Sequence, residues 1–470
     1  GEYWLEGEGP VLPREPGLRA RTFWCQISRG CSTRSASDRS FAGRAAGEDG
    51  LFLDQPHSRR SNSAASVPRG LLKPLERFCQ VEASSGIVLF AATAAAMLWA
   101  NSPWHASYES LWHLTIGLSL GAHRWVLSPQ FLVNDGLMTI FFLLVGLEIR
   151  RELHDGALSS VRAAAVPIVA AMGGMLAPAL IFLAIADPEL RRGWAIPTAT
   201  DIAFAVGALT LLARRVPPAA RVLLLALAVT DDIGAILVIA FFYSSGIHAL
   251  GLWIAAGGAG GILAFQRLGI RSILAYVLPG SIIWIGFHDA GLHPALAGAI
   301  LGLLTPVRVA PPDGAGREVR APVARLQSAL HPWVAYGIMP LFALANAGVA
   351  LEGATWSAHG MATLTIAIVL ALVFGKPLGI ILCSWLAVRS GLGVLAPGLD
   401  GRGVLLVGCL GGIGFTMALF LATVAFDDPS LLVAVKFAIL LGSAIAGVAA
   451  FLLGRVVLFP TVAAPPERGS

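Results

Sequence analysis

The sequence predicts an all-α polytopic membrane protein of about twelve transmembrane helices, built as inverted repeats in which two interrupted helices cross at the midplane. Three observations predict it. Hydrophobic residues make up 56% of the chain and charged residues 13%, against about 25% charged in soluble domains. Apolar stretches long enough to cross the hydrocarbon recur from Ser85 to Leu458. Two of them are interrupted by polar or glycine-rich runs at corresponding places in the two halves of the chain.

The ends of the chain have a different composition. Residues up to Pro74 are rich in Ser, Arg and Gly and lack the continuous apolar core of a signal peptide. Glu2, Glu6, Glu8, Glu15 and Glu48 are out of place in a transit peptide. We expect residues 1–70 to be a disordered polar extension, 71–459 the membrane domain and 460–470 a cytoplasmic tail. The first methionine is Met97, and part of the extension is expected to be foreign to the native start. Cys25, Cys31, Cys79, Cys383 and Cys409 show neither CxxC nor paired spacing and are expected to be free thiols. The net charge of +5 does not indicate nucleic acid, because the arginines are scattered through short loops rather than gathered on one face.

Breaking the apolar runs at polar turn clusters gives the spans in order. They are Ser84 to Ala100, Phe131 to Ile149, Arg162 to Ala186, Gly193 to Ala213, Ala219 to Tyr243 and Ala249 to Gln266, then Ser272 to Phe287, Leu292 to Pro306, Pro332 to Ala350, Met361 to Ala387, Leu405 to Phe426 and Leu431 to Phe459. Arg150, Arg151, Arg162, Arg214, Arg215, Arg267, Arg271, the stretch Arg308 to Arg325, Arg389 and Arg402 all fall in loops on one side, which is cytoplasmic by the positive-inside rule. Asp289, Glu352, Asp427 and Asp428 lie on the other side, with Arg191 and Arg192 as exceptions. An even number of spans then puts both termini in the cytoplasm.

In the first interrupted span, Ile196-Pro197-Thr198-Ala199-Thr200-Asp201 places a proline, two threonines and an acid at mid-span, where the helix is expected to break. In the second, the run Gly408 to Thr416 is glycine-rich; close helix packing is the alternative reading of those glycines. Broken helices leave amides and carbonyls unsatisfied, and Asp201 is placed to balance their positive ends. Asp231 and Asp232 are neighbours on one helix and point about 100° apart, so they cannot share a role. One is expected to face a water-filled cavity and hold a hard cation, the other to turn toward Lys376. A fixed Asp231–Lys376 pair that only joins helices remains an alternative. Four intramembrane charges cost roughly 10 kcal/mol at about 2.5–3.5 kcal/mol each unless they pair, protonate or bind an ion. That cost points to cation transport.

The strings VNDGLMTIFFLLVGLEIRREL (Val133 to Leu153), IPTATDIAFAVGAL (Ile196 to Leu209), LALAVTDDIGAI (Leu225 to Ile236), HPALAGAILG, LHPWVAYGIMPLFALANAGV, GKPLGI and GIGFTMALFLA resemble the NhaA family of sodium/proton antiporters from Leu71 to about Leu458. The resemblance implies an exchanger of cytoplasmic sodium or lithium for external protons in the bacterial inner membrane, electrogenic, pH-regulated, without a cofactor and able to form a homodimer, with the polar segment Asn101 to Gln130 as a contact. It implies that Asp232 is the main ligand of the transported sodium and the proton carrier, with Asp231 as its pair. Thr200 and Asp201 stand beside that site, and Lys376 partners Asp231. Glu148, Arg151, Glu152 and the region of Gln327 and His331 correspond to the family's pH-sensing cluster. Ala324, Gln327 and Ser328 depart from the acid and lysine usual there, so the pH set point is expected to differ. A solvated ion-pair cluster is the other reading of Glu148, Arg151 and Glu152. His293 has a titration range suited to sensing, or is a hydrogen-bonded histidine at a helix start. Asp135 reads as an ordinary polar cap outside the transport site, and Lys436 as a snorkelling residue. Two other classes remain: a passive cation channel and, more remotely, an intramembrane aspartyl protease. No phosphate-binding loop accompanies Lys376, which argues against an ATP-driven pump.

Overall fold

The computed structural model describes residues 69–120, 123–156, 161–212, 216–244, 246–270, 272–307, 322–350, 360–396 and 398–456. The expected extension, except for its last residues, and the expected tail lie outside them. The chain enters on α1 (Arg69–Ala100) and turns sharply into the short α2 (His105–Trp112). Tyr108 on α2 donates its hydroxyl to the carbonyl of Leu344 at 2.9 Å, and Asn101 donates to that of Val349 at 2.7 Å. These bonds satisfy carbonyls at and beyond the end of a later helix.

A two-stranded antiparallel hairpin comes next, β1 (Ile116–Leu120) with β2 (His123–Leu127), in register from Ile116 opposite Leu127 to Leu120 opposite His123. The hairpin corrects the all-α expectation between the spans, while the spans themselves are helical. The sequence carries the reason: Ile116, Leu118 and Leu120 recur with period two, a strand pattern, within a segment too short and polar to span.

Beyond the hairpin come a π-helical stretch, Leu132–Leu137, then α3 (Met138–Asp155) and α4 (Val161–Ile185). The first interrupted span consists of a 3-10 segment, Pro188–Thr198, and α5 (Ile202–Leu211), bent by 51°. After it lie α6 (Pro218–Phe242), α7 (Ala249–Arg267), α8 (Val277–Ala290), α9 (Leu296–Leu304) and α10 (Pro322–Trp333), which runs through π-helical Val334–Ile338 into α11 (Met339–Asn346). The third π-helical stretch, Ala371–Gly375, joins α12 (Met361–Leu370) to α13 (Lys376–Arg389). The second interrupted span is α14 (Gly401–Gly411) with α15 (Phe415–Ala425), bent by 45°, and α16 (Pro429–Val456) ends the described chain. Asp428 starts α16, accepting from the Ser430 amide at 2.8 Å and hydroxyl at 2.7 Å, and these bonds hold its carboxyl below the ordinary range.

Among the described residues seven helices are long and apolar enough to cross a membrane, or ten if each bent pair is one span. The chain is therefore a multi-pass membrane protein. The expected spans Ser272 to Phe287 and Leu292 to Pro306 have different outcomes. A 3-10 turn at Ile273–Tyr276 and helix α8 cover the first and continue to Ala290, where Gly291, with φ of 77°, terminates the helix in the left-handed conformation. Helix α9 has 9 residues, about 14 Å of the roughly 30 Å hydrocarbon. It packs closely on α3, with Gly298 against Thr139 and Leu143 and Gly302 against Leu143 and Leu147. A side chain at Gly298 would run into the Thr139 carbonyl, so glycine there permits the helices to touch.

Candidate functional site

The two interrupted spans meet at their breaks. Ala199 has an extended backbone after the proline-bearing 3-10 segment, and Asp201 is the N-cap of α5, its Oδ1 accepting from the Phe204 amide at 3.0 Å. The Asp201 amide donates to the Ile413 carbonyl, inside the second break, at 2.8 Å. Its Oδ2 accepts from the Thr416 amide at 3.1 Å and from the Thr416 hydroxyl. One buried carboxylate thus caps the first turns of both α5 and α15. Each helix N-terminus carries about half a positive charge, so a single carboxylate balances the pair. Ser443 on α16 completes the second cap by accepting from the Phe415 amide at 3.1 Å.

Thr200 turns to the other side. Its hydroxyl lies 2.6 Å from Asp231 Oδ2 and 3.1 Å from the carbonyl of Gly411, in the last turn of α14. Lys376 Nζ donates to Asp231 Oδ2 at 2.8 Å and to the Thr200 hydroxyl. Both charged side chains have no exposed surface. Lys376 is the first residue after the π-helical stretch Ala371–Gly375, and Gly375 packs against Pro178 of α4. A π-turn inserts one residue and re-aims the side chains beyond it, and such turns concentrate at functional sites.

Asp232 differs from its neighbour. It is 2% exposed, and among the described residues its Oδ1 has no hydrogen-bond partner; the same holds for Asp231 Oδ1. Asp232 lines a cavity of about 50 Å³ with Thr200, Asp201, Glu148, His331 and Met417. A cavity needs about 10–15 Å³ to hold a water, so the space admits water or a small cation. An unsatisfied buried carboxylate oxygen calls for a proton or a cation. The cavity holds carboxylate oxygens from different elements, the donor set of hard cations.

The residues singled out as pH-sensing divide into two places. Glu148 and His331 line the cavity itself. Arg151 is 4.0 Å from Glu148 and 3.4 Å from Glu152, with its own side chain 39% exposed, so both carboxylates share one accessible guanidinium. His293 stands apart, near the opposite end of α3, with Nε2 3.7 Å from Asp135 Oδ1. Thirteen residues separate Asp135 from Glu148, about 20 Å along a helix. Asp135 is not the ordinary polar cap expected from sequence. It sits in a π-helical stretch with its side chain 18% exposed.

Sequence reasoning gave no role to Thr416, Ser443, Phe141, Met339 or Met417. Thr416 had a readable signal, a hydroxyl just past the second break as Thr200 precedes the end of the first. Ser443 had none, because its role is set by contact between distant helices. Among the described residues no cluster of three or more His, Cys, Asp or Glu side chains is placed as a metal centre.

Residues 76–453 match the family model described as Na+/H+ antiporter 1. The chain is 51% identical over 436 residues to the protein named Na(+)/H(+) antiporter NhaA 2 of Sorangium cellulosum, covering 85% of this chain and 93% of that one. It is 54% identical over 375 residues to Na(+)/H(+) antiporter NhaA of an Acidovorax species, covering 79% and 89%. With Na(+)/H(+) antiporter NhaA 2 of Pseudomonas putida the identity is 48% over 429 residues, covering 83% and 95%. The chain belongs to the Na+/H+ antiporter 1 family, the NhaA sodium/proton antiporters.

Proposed function

We propose that the protein exchanges cytoplasmic sodium or lithium for external protons at Asp232. The observation that carries the reading is a buried carboxylate oxygen without a partner, at a cavity, in a chain of this antiporter family. A carboxylate binds a proton or a sodium ion in one place, so each displaces the other. Asp232 holds the cation, with Asp231 Oδ1, which has no partner among the described residues, as a further ligand. Thr200 holds Asp231 in place, Lys376 neutralises it, and Asp201 keeps the two breaks assembled. Release of a second proton through Asp231 and Lys376 makes the exchange electrogenic, so a membrane potential contributes about 2.3 kcal/mol per charge per 100 mV.

Glu148 and His331 at the cavity, with Arg151 and Glu152 beside them, are the groups through which cytoplasmic pH sets activity. The architecture we assign is twelve spans in a 71–459 membrane domain, with inverted repeats, breaks crossing at the midplane and both termini cytoplasmic in a bacterial inner membrane. A homodimer would use the surface of the hairpin segment. The channel reading has no support in the names of the relatives, which are antiporters. The protease reading needs Asp201 and Asp232 to share a water, but the caps of α5 and α15 engage both Asp201 oxygens.

Sodium-driven collapse of a pH gradient in everted vesicles tests the proposal. The unaltered chain is expected to dissipate the gradient on sodium addition, and Asp232→Asn to abolish the response. Sodium flux that persists in Asp232→Asn without proton movement would refute coupled exchange at this residue.

A further inference from the structure

The cavity at Asp232 is lined by Glu148 and His331, near the end of α3, while an exchanger must also expose its site to the opposite face. The contacts on that side form a continuous series. Phe141 lines the cavity, and its ring meets Phe142 at 5.4 Å. Phe142 meets Phe420 at 5.4 Å, and Phe342 lies 6.3 Å from Phe420. Phe142, Phe342 and Phe420 have no exposed surface and form an apolar plug. The far side of the plug is polar. The His293 ring stands edge-on to Phe420 at 5.1 Å, and Asp135 lies beyond it.

His293 is oriented by the chain start of α9. Its Nδ1 accepts from the Ala295 amide at 3.3 Å, which leaves Nε2 as the protonated nitrogen of the neutral ring, facing Asp135. The 3.7 Å between Nε2 and Asp135 Oδ1 exceeds hydrogen-bond length and leaves the carboxylate oxygen open to a water or an ion. Both side chains are 18% exposed. On the same π-helical stretch, Asn134 exchanges carboxamide contacts with the fully buried Asn346, donated by Asn346 at 2.8 Å and by Asn134 at 3.5 Å. The π-turn therefore carries a carboxamide joined to α11 and a carboxylate facing the start of α9, at the outer edge of the plug.

We infer that Asp135, with the imidazole of His293 as its competing partner, is a second station for the monovalent cation, occupied between the plug and the face opposite the Glu148 cavity. This inference rests on the exchange reading above. The cation that leaves Asp232 past Phe420 meets the Asp135 carboxylate next, and its arrival replaces the weak imidazole contact. The ligand is a partly hydrated sodium or lithium ion, since a carboxylate oxygen is a hard donor and a single carboxylate leaves the rest of the ion's shell to water.

The test uses the full chain in everted and right-side-out vesicles, comparing the sodium concentration for half-maximal proton movement at each face. Asp135→Asn is expected to raise that concentration about tenfold at the Asp135 face relative to the Glu148 face, and Asp135→Glu to restore most of the difference. His293→Gln keeps an N–H donor and is expected to shift the same face less. An equal rise at both faces would assign Asp135 a merely structural role, and no rise at either would remove it from the path; either result overturns the station. Failure of the unaltered chain to exchange in either vesicle type would instead refute the exchange reading on which the station rests.

Discussion

Replacing Asp201 with Asn separates two roles that the site combines. The carboxylate accepts from the Phe204 amide at 3.0 Å through one oxygen and from the Thr416 amide at 3.1 Å, with the Thr416 hydroxyl, through the other. Asparagine keeps one acceptor, which can cap α5, and turns an NH2 group toward the donors of Thr416. Two helix N-termini then lose their counter-charge, about 1–2 kcal/mol each in a buried setting, and a stranded amide adds about 1–3 kcal/mol. The total is about 3–7 kcal/mol. Thermal unfolding of purified protein in detergent, followed by loss of the monodisperse species, reads it. A domain of 150–250 residues loses about 2–4 °C per kcal/mol, and this larger chain somewhat less, so a fall of at least about 5 °C is expected. An unchanged midpoint with exchange abolished would refute the reasoning, because Asp201 would then act on the cation rather than on the half-helices.

Lys376→Met strands the fully buried Asp231 carboxylate at a cost of about 3–5 kcal/mol, and adding Asp231→Asn should recover most of the midpoint in the same assay. Gly298→Ala places a methyl group against the Thr139 carbonyl and Leu143 amide and should cost about 1–3 kcal/mol, seen as a shorter half-life in detergent. Glu148→Gln removes a negative charge from the cavity wall. It should weaken sodium activation at that face several-fold at low ionic strength, with the difference shrinking as salt rises toward a Debye length of about 3 Å at 1 M.

The membrane class and the four intramembrane charges were legible because hydrocarbon penalises both unpaired charge and broken backbone, so each leaves a mark in the sequence. Proline, threonine and aspartate at mid-span located the first break within a few residues of Ala199–Asp201. The divergence of Asp231 and Asp232 came from helical angle alone, and the structure separates them, with Lys376 bonded to the first and the cavity beside the second. The hairpin is hard to see because its period-two pattern is only five residues long on each side and sits in a polar connection between spans. Helix α9 is shorter than composition suggests because the apolar run begins at Leu292, ahead of His293 and Pro294, while the helix starts only at Leu296. Asp135 escapes sequence reasoning for a related reason: a π-turn shifts the face of every residue after its insertion, and no residue type marks it.

The charges at the site add up in a way that bears on coupling. With Glu148 set against Arg151, three aspartates and one lysine leave two negative charges. The half-helix ends at Asp201 offset about one of them. The remaining negative charge belongs to Asp232, since Lys376 neutralises Asp231. One proton or one sodium ion balances it, so Asp232 alone yields one-for-one, electroneutral exchange. Movement of net charge requires a second proton, and the buried Asp231–Lys376 pair is the group beside the cavity able to give one when the arriving cation draws on Asp231 Oδ1. The two roles of that pair therefore make opposite predictions for reconstituted protein under an imposed potential. Exchange that responds to voltage and loses the response in Lys376→Met makes the pair a proton carrier; exchange indifferent to voltage in the unaltered chain leaves it as the fixed clamp that holds α6 to α13.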